Sequence, residues 1–144
     1  MGRANQLLHA RLDPRIRPAG PAELSARYAF LLDHGCVLLA EDDDGTAFGL
    51  CAGRLEGPGN AATGAILDAF VARSRRRLGA LSAMLDLLLA WFEARGVQRL
   101  SVEWVAANAV SSAAWPALGF EAHYVSARAE VAEVRRRLAG RGRR

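Results

Sequence analysis

The chain has 144 residues, the usual length of one domain, and 51% of them are hydrophobic while 24% are charged, so it can bury a substantial core. No stretch approaches the roughly 18 uninterrupted apolar residues of a membrane span. Residues 1–10 also lack the long apolar run of a secretory signal. These features argue against a membrane protein and predict a single domain over 1–144 in the cytoplasm.

All 19 basic residues are arginines and none is a lysine, and the formal net charge is +4. The arginines cluster in two runs, 73–77 and 135–144. An uneven positive surface attracts anions, and phosphates are the natural candidates. A nucleic-acid-binding protein is one competing hypothesis, but the net charge is modest for a surface that follows phosphates and aromatic residues do not alternate with basic ones. We therefore expect no nucleic-acid partner.

The few cysteines and histidines argue against a metal site. Cys36 and Cys51 fall in segments that resemble neighbouring strands, where they act as small apolar residues. None of the three histidines stands at metal-ligand spacing from them. We expect reduced, buried thiols and no bound metal.

The periodicity of apolar residues and the turn signals divide the chain into alternating elements. In chain order they predict helices 6–11 and 22–33, strands 36–41 and 46–55, a buried strand 65–72, a long helix 78–95, a strand 97–105, a short helix 110–118, a strand 120–131 and a charged helix 130–137 that overlaps its end. The turn Asp42–Gly45 joins the first two strands into a hairpin. We expect 138–144 to be a flexible basic tail. This order predicts an α/β (α+β) fold with a mixed sheet.

A strand, a basic loop and a helix start meet at residues 65–82. The buried strand 65–72 leads through Arg73–Arg77 into the helix that begins near Leu78. The first backbone N–H groups of a helix have no partner inside it and the helix dipole is positive there, so the join predicts an anion site. Gly79 lets the backbone approach a ligand closely.

Two blocks here resemble the GNAT superfamily of N-acetyltransferases: Phe70-Val71 with the segment 76–81, and Asn108 with the segment 115–120. In that family the loop reads Arg/Gln-x-x-Gly-x-Gly/Ala, and its amides hold the pyrophosphate of acetyl-coenzyme A. Here Arg76 and Gly79 match, whereas Leu81 replaces the last small residue. The resemblance covers about 37–125 and implies a GNAT-like, mainly antiparallel central sheet with splayed middle strands, flanked by helices.

The resemblance also implies the residues that contact acetyl-coenzyme A. They are Phe70, Val71, Arg76, Arg77, Leu78, Gly79, Ala80, Leu81, Ser82 and Asn108. The amide of Val71 or Phe70 would polarise the thioester carbonyl. Asn108 equally well caps the short helix, as Ser111 or Ser112 would if Pro116 places the helix start late.

Trp115 stands where the family has a tyrosine that often protonates the leaving thiolate. An indole N–H donates a hydrogen bond but does not transfer a proton at neutral pH. Trp115 would pack on the pantetheine arm, donate to the sulfur, or fill a core or pocket wall.

Two carboxylates are candidates for the general base or for binding the amine. Strand alternation places Ile66, Asp68 and Phe70 on one face of the buried strand, and Ser101 with Glu103 on one face of the next. Asp68 is the first candidate, because it falls where many members of the family carry a carboxylate, and Glu103 is the second. A structural carboxylate that binds a neighbouring loop is the alternative for Asp68.

The resemblance implies direct transfer of acetyl from acetyl-coenzyme A to a primary amine, on a small molecule or a peptide, without a metal. A non-catalytic acyl-coenzyme A-binding module is the alternative. Homodimers are frequent in the family, and this is the basis on which we expect one here.

Overall fold

The computed structural model describes residues 1–58, 62–123, 127 and 129–141. Its elements, in chain order, are α1 (Gly2–Leu12), α2 (Pro21–His34), β1 (Gly35–Glu41), β2 (Ala47–Glu56), β3 (Thr63–Val71), a 3-10 turn (Arg73–Arg75), α3 (Ala80–Glu93), β4 (Leu100–Val102), α4 (Ala109–Ala117) and α5 (Val131–Arg141). Among the described residues, no helix combines the length and apolarity needed to cross a bilayer.

The helix α2 and the hairpin behind it form for local reasons that the sequence predicts. Pro21 suits the first position of a helix, and the Glu23 carboxylate accepts the backbone N–H of Gly20 at 2.6 Å. Gly35 begins β1 where a Cβ atom would lie 2.5 Å from the carbonyl oxygen of Gly53 on the neighbouring strand. Gly45 has a φ of 80° in the hairpin turn. The predicted hairpin is confirmed.

The sheet has the order β1-β2-β3-β4. The first three strands pair antiparallel, whereas β3 and β4 run parallel. The parallel ladder joins only 64–66 to 100–102, so among the described residues the remainder of β3, 67–71, has no strand partner on that side. This mixed, mainly antiparallel sheet flanked by helices confirms the predicted fold class. In the described sheet, the strands that part are its last pair, β3 and β4.

A bulge interrupts β3 at Leu67. Asp68 pairs with Ala52 and Ile66 pairs with Gly53, which leaves Leu67 without a partner on β2. One extra residue reverses the alternation of side chains. Ile66 therefore packs in the core beside α3, while Asp68 bonds to side chains of α1 and α2 on the other face. The prediction that Ile66 and Asp68 share a face is wrong for this reason.

The main core lies between the sheet and α3. Its buried members come from both strands and helices: Cys51, Ile66, Val71, Met84, Leu85, Leu88, Phe92 and Trp115. Burying a Leu or Phe side chain of this kind contributes about 1.5–3 kcal/mol. The helices α1 and α2 cover the opposite face, where Leu24 and Leu31 are buried.

The C-terminal third departs most from the predictions. β4 has three residues instead of the nine in 97–105, because a strand exists only where a ladder partner does, and the described ladder ends at residue 102. In the predicted strand 120–131, residues 120–123, 127 and 129–130 are not in a strand, and 124–126 and 128 lie outside the described residues. The expected flexible tail 138–144 is helical up to Arg141, in a helix where Glu133 pairs with Arg136 and Arg137 one turn later. Residues 142–144 lie outside the described part.

Both cysteines are free, as expected. They lie on adjacent strands but not opposite each other, since Cys36 pairs with Gly53 and Cys51 with Leu38. Burial raises the pKa of Cys51 to about 12, and it also raises the pKa of the half-buried Cys36, where Arg95 acts in the opposite direction.

These differences predict unequal reactivity of the two thiols. At pH 8 a thiol with a pKa of about 12 is ionised to roughly one part in 10⁴. We expect iodoacetamide to label Cys36 at least about tenfold faster than Cys51 in the folded protein, as measured by peptide mass spectrometry. Labelling in urea, where both thiols are exposed, is the control and should give equal rates. Equal labelling rates of Cys36 and Cys51 in the native state as well would contradict the buried position of Cys51.

Candidate active site

The loop between β3 and α3 presents a group of unused backbone donors. Arg77 and Gly79 have φ values of 64° and 82°, and Gly79 stands at the N-cap of the 14-residue helix α3 without a side-chain cap. Among the described residues, the N–H groups of 77–82 donate to no protein acceptor. The left-handed backbone conformation of Arg77 costs about 1–2 kcal/mol. Open amides at the positive end of a helix form an anion cradle, here called the 77–82 cradle.

Nothing in the loop closes this cradle. A Cβ atom built on Gly79 would meet no atom within 4 Å. Leu81 packs against the core cluster, so its side chain does not lie over the amides. Leu78 is 73% exposed and Ser82 is exposed.

The arginines of the loop divide into two pairs with different surroundings. Arg76 donates from Nε to the carbonyl oxygen of Val71 at 2.9 Å and fixes the loop to the strand end. Arg75 pairs with Asp42 at the hairpin tip, with 2.7 Å between Nη2 and Oδ2. Arg73 and Arg77 are exposed and form no ion pair with any described residue. Of the four loop arginines, Arg75 alone is ion-paired with a described residue, so Arg73, Arg76 and Arg77 keep unpaired positive charges beside the cradle.

The free edge of β3 leads away from the cradle. Ala72 donates its N–H to the carbonyl of Phe48 on β2 at 2.8 Å. Backbone groups of alternate residues face the same neighbour, so Phe70 also faces β2 while Ala69 and Val71 face the free edge. Of the two candidates for the amide that polarises a thioester, Val71 and not Phe70 has its N–H on this edge.

Asn108 caps α4. Its Oδ1 accepts the N–H of Ser111 at 3.4 Å, and its Nδ2 donates to the hydroxyl of that residue at 2.8 Å. Of the two roles left open for Asn108, the structure contains the cap. The late helix start is wrong, because α4 begins at Ala109 and Pro116 lies in its last turn, where the missing N–H costs one bond before the helix ends. Ser112 instead accepts the indole N–H of Trp104 at 3.1 Å.

Trp115 is a core residue, 6% exposed. Its ring meets that of Phe120 edge to face, with centroids 5.4 Å apart. An aromatic pair of this geometry contributes about 0.5–1.5 kcal/mol beyond its buried area. Trp115 therefore holds α4 against the sheet, which agrees with the packing interpretation.

Asp68 is enclosed by three donors from α1 and α2. Asn5 donates to its Oδ1 at 2.8 Å, and Arg27 and Tyr28 donate to its Oδ2 at 2.8 and 3.1 Å. The residue is 3% exposed. Burial and then the nearby Asp68 carboxylate raise the pKa of Tyr28, while burial lowers the pKa of His9 despite Asp68. Asp68 is therefore an anchor between the helices and the sheet.

Glu103 is exposed and follows directly on β4. Its neighbours Val102 and Trp104 pack against the core cluster, whereas Glu103 itself is exposed. The structure does not join the two predicted carboxylates, because one is buried under α1 and α2 and the other is exposed where β3 and β4 part.

The partners of Asp68 escaped the sequence analysis, although α2 carries a signal for them. Leu24 and Leu31 are the buried residues of this helix, and Arg27 and Tyr28 stand three and four positions after the first of them. A charged residue on the buried stripe of a helix indicates a buried partner. No local pattern distinguishes the third partner, Asn5.

Comparisons with known proteins agree with this geometry. The model of the Acetyltransferase (GNAT) family matches residues 4–120. No curated protein matches the chain. Among solved structures, a single-substitution variant of the BH1408 protein from Bacillus halodurans is 16% identical, with 88% of this chain and 86% of that one covered and a TM-score of 0.74.

Two further structures are aminoglycoside N-acetyltransferases. The apo aminoglycoside 6′-N-acetyltransferase of Acinetobacter haemolyticus is 18% identical, with 90% of this chain and 97% of that one covered and a TM-score of 0.64. An aminoglycoside N-acetyltransferase in complex with coenzyme A is 21% identical, with 91% of each chain covered and a TM-score of 0.64. At these identities the structures show a shared fold, while the family model spans most of the chain. The chain therefore belongs to the GNAT family of acetyltransferases.

Proposed function

We propose that the protein transfers acetyl from acetyl-coenzyme A to a primary amine on a small molecule or peptide. The observation that carries the proposal is the continuity of the 77–82 cradle with the free edge of β3. Acetyl-coenzyme A has a pyrophosphate at one end and an amide-bearing arm that ends in a thioester. The cradle suits the pyrophosphate, and a free strand edge suits the arm. The neighbour that binds coenzyme A supports the choice of ligand.

The chemical step forms one C–N bond and breaks one C–S bond. The amine nitrogen attacks the thioester carbonyl carbon, the carbonyl oxygen takes up negative charge, and the sulfur then leaves as the thiolate of coenzyme A. The Val71 N–H on the free edge stabilises that oxygen, and water protonates the thiolate because Trp115 does not. The proton lost by the amine passes to Glu103, directly or through water. Asp68 acts as a positioning residue.

A pair of glycine substitutions tests the cofactor site. Gly79 and Gly45 have φ values of 82° and 80°, and a Cβ atom meets nothing within 4 Å at either. Aspartate tolerates this conformation better than most residues, and it places a negative charge in the cradle only in Gly79→Asp. We expect Gly79→Asp to weaken acetyl-coenzyme A binding at least about tenfold in calorimetric titration, since repulsion between close charges exceeds 1.4 kcal/mol. Gly45→Asp should bind like the wild type.

Either of two results would contradict the cofactor site. One is saturable binding that both variants weaken equally, and the other is no binding by the wild type. Free adenosine serves as the control for the nucleotide portion.

The alternative function is a non-catalytic acyl-coenzyme A-binding module, and the buried Trp115 at the family's tyrosine position favours it. The two functions share the cofactor site and differ in turnover. Release of free thiol with at least one primary amine would establish transfer. Binding without thiol release over a broad panel of amines would establish the module.

A further inference from the structure

The two faces of the sheet differ in their access to the free edge of β3. On the α3 face, buried core side chains, among them Ile66, Val71 and Trp115, fill the space beside β3. The opposite face is covered by α1 and α2, whose inner residues near the edge are polar. We place the acceptor amine on the α1 and α2 side, because Arg27 of α2 is 35% exposed there whereas core side chains fill the α3 side.

Arg27 of α2 lies where β3 and β4 part. Its Nη2 is 2.8 Å from Oδ2 of Asp68 and 3.4 Å from the carbonyl oxygen of Leu67. Leu67 follows Ile66, the last residue of β3 that pairs with β4. The guanidinium thus stands at the inner end of the free edge, on the side from which the acceptor comes.

Arg27 is held in place and still has unused donors. Among the described residues, its Nε and Nη1 make no hydrogen bond, and its side chain is 35% exposed. The Tyr28 ring centroid lies 5.9 Å from Cζ of Arg27, and the Tyr28 hydroxyl donates to the same carboxylate oxygen. A guanidinium fixed by one nitrogen can still bind an anionic oxygen group with the others.

The Asp68 carboxylate, in contrast, is not available to a cationic ligand. Both of its oxygens already accept hydrogen bonds, and its side chain is 2% exposed. The charged pair that α2 and β3 present here therefore consists of a carboxylate whose two oxygens are occupied and a guanidinium with open donors, and His9 of α1 lies within electrostatic reach of the carboxylate.

We propose that Arg27 determines acceptor specificity by binding an anionic oxygen group, a carboxylate or a phosphate, on the acceptor. The acceptor is then a primary amine that carries a negative charge, in contrast to the polycationic aminoglycosides. This inference rests on the proposed acetyl transfer and names the substrate class for that site.

The test compares matched amines at saturating acetyl-coenzyme A. Glycine and β-alanine supply a carboxylate, O-phosphoethanolamine supplies a phosphate, ethylamine is the uncharged-tail control, and spermidine and kanamycin are polycations. We expect the charged-tail amines of one anionic class to have the highest kcat/KM. Comparison of glycine and β-alanine with O-phosphoethanolamine decides whether the anionic group of the acceptor is a carboxylate or a phosphate.

Arg27→Lys keeps the charge that pairs with Asp68 but removes the guanidinium fork. We expect it to raise KM for the anionic amine about tenfold or more with little change in kcat, and to leave ethylamine unaffected. Arg54→Lys is the matched control, because Arg54 also forms a 2.7 Å ion pair and its side chain is 40% exposed. The double variant Arg27→Gln with Asp68→Asn removes both charges of the ion pair, so it leaves no unpaired buried charge. It should also lose the preference for anionic amines.

A preference for spermidine or kanamycin, or an equal effect of Arg27→Lys on every amine, would overturn the proposal. Failure of acetyl transfer is a separate result, because the same amines are also titrated calorimetrically with coenzyme A present. Binding of an anionic amine that Arg27→Lys weakens supports the role of Arg27 even without turnover. Binding that Arg27→Lys leaves unchanged contradicts it.

Discussion

Asp68→Ala is expected to lower the free energy of unfolding by about 3 kcal/mol, among the larger effects of a single substitution in this chain. The change leaves Arg27, Tyr28 and the 4% exposed Asn5 without their shared acceptor. The loss stays at the lower end of the range for buried pairs because the Arg27 side chain is 35% exposed and water can solvate it. Asp68→Asn should cost less, since its amide oxygen still accepts from Arg27 and Tyr28, while its NH2 group takes the place of the oxygen that accepts from Asn5.

Urea denaturation monitored by circular dichroism measures this effect. Asp43→Ala is the control, because Asp43 is exposed in the hairpin turn and should change stability by less than about 0.5 kcal/mol. If the free energy of unfolding of Asp68→Ala equals that of Asp43→Ala, the hydrogen-bond network between α1, α2 and β3 does not stabilise the fold.

The same substitutions separate an anchor from a general base. Loss of a general base typically lowers kcat by about 10²–10⁴. We expect Glu103→Gln to do so without changing stability, because Glu103 is exposed, and Asp68→Asn to lower kcat by less than about tenfold at a temperature where it is folded. The opposite ranking would make Asp68 the base and restore the first candidate from the sequence.

Phe92→Ala is expected to destabilise the protein by about 3–5 kcal/mol, through lost burial and the cavity left behind. Phe92 is 1% exposed in the centre of the core. A Cβ atom on Gly53 or on Gly64 would lie 2.8 Å from its ring, so the ring occupies the space that these two glycines leave on β2 and β3. The substitution removes the contacts that this ring makes with both strands.

Leu87→Ala on the same helix is the control for Phe92, since Leu87 is 61% exposed and should contribute little. A double-mutant cycle with Gly64→Ala adds a geometric test. Gly64→Ala should cost less in the Phe92→Ala background, where the ring no longer meets the new methyl group and the close approach of Leu100 alone remains. Additive costs would show that ring and strand do not touch.

The extent of successful prediction differs between the two halves of the chain. The hairpin, β3 and α3 follow the predicted order to within a few residues, because each has a local signal: a turn, a buried apolar run or a helical period. The C-terminal part has weaker signals, and there the predicted strand 97–105 shortens to three residues. The ladder of a short edge strand depends on its neighbour and not on its own sequence.

By itself the sequence determined the elements of the first two thirds of the fold and the family resemblance, and it predicted an anion site at the start of α3. These depend on local physics: apolar period, turn residues and the free amides of a helix start. Only the tertiary structure decided which side chains meet. The bulge at Leu67 turns Asp68 towards Arg27, and the core takes in Leu81 and Trp115, because register and packing bring together residues that are distant in the chain.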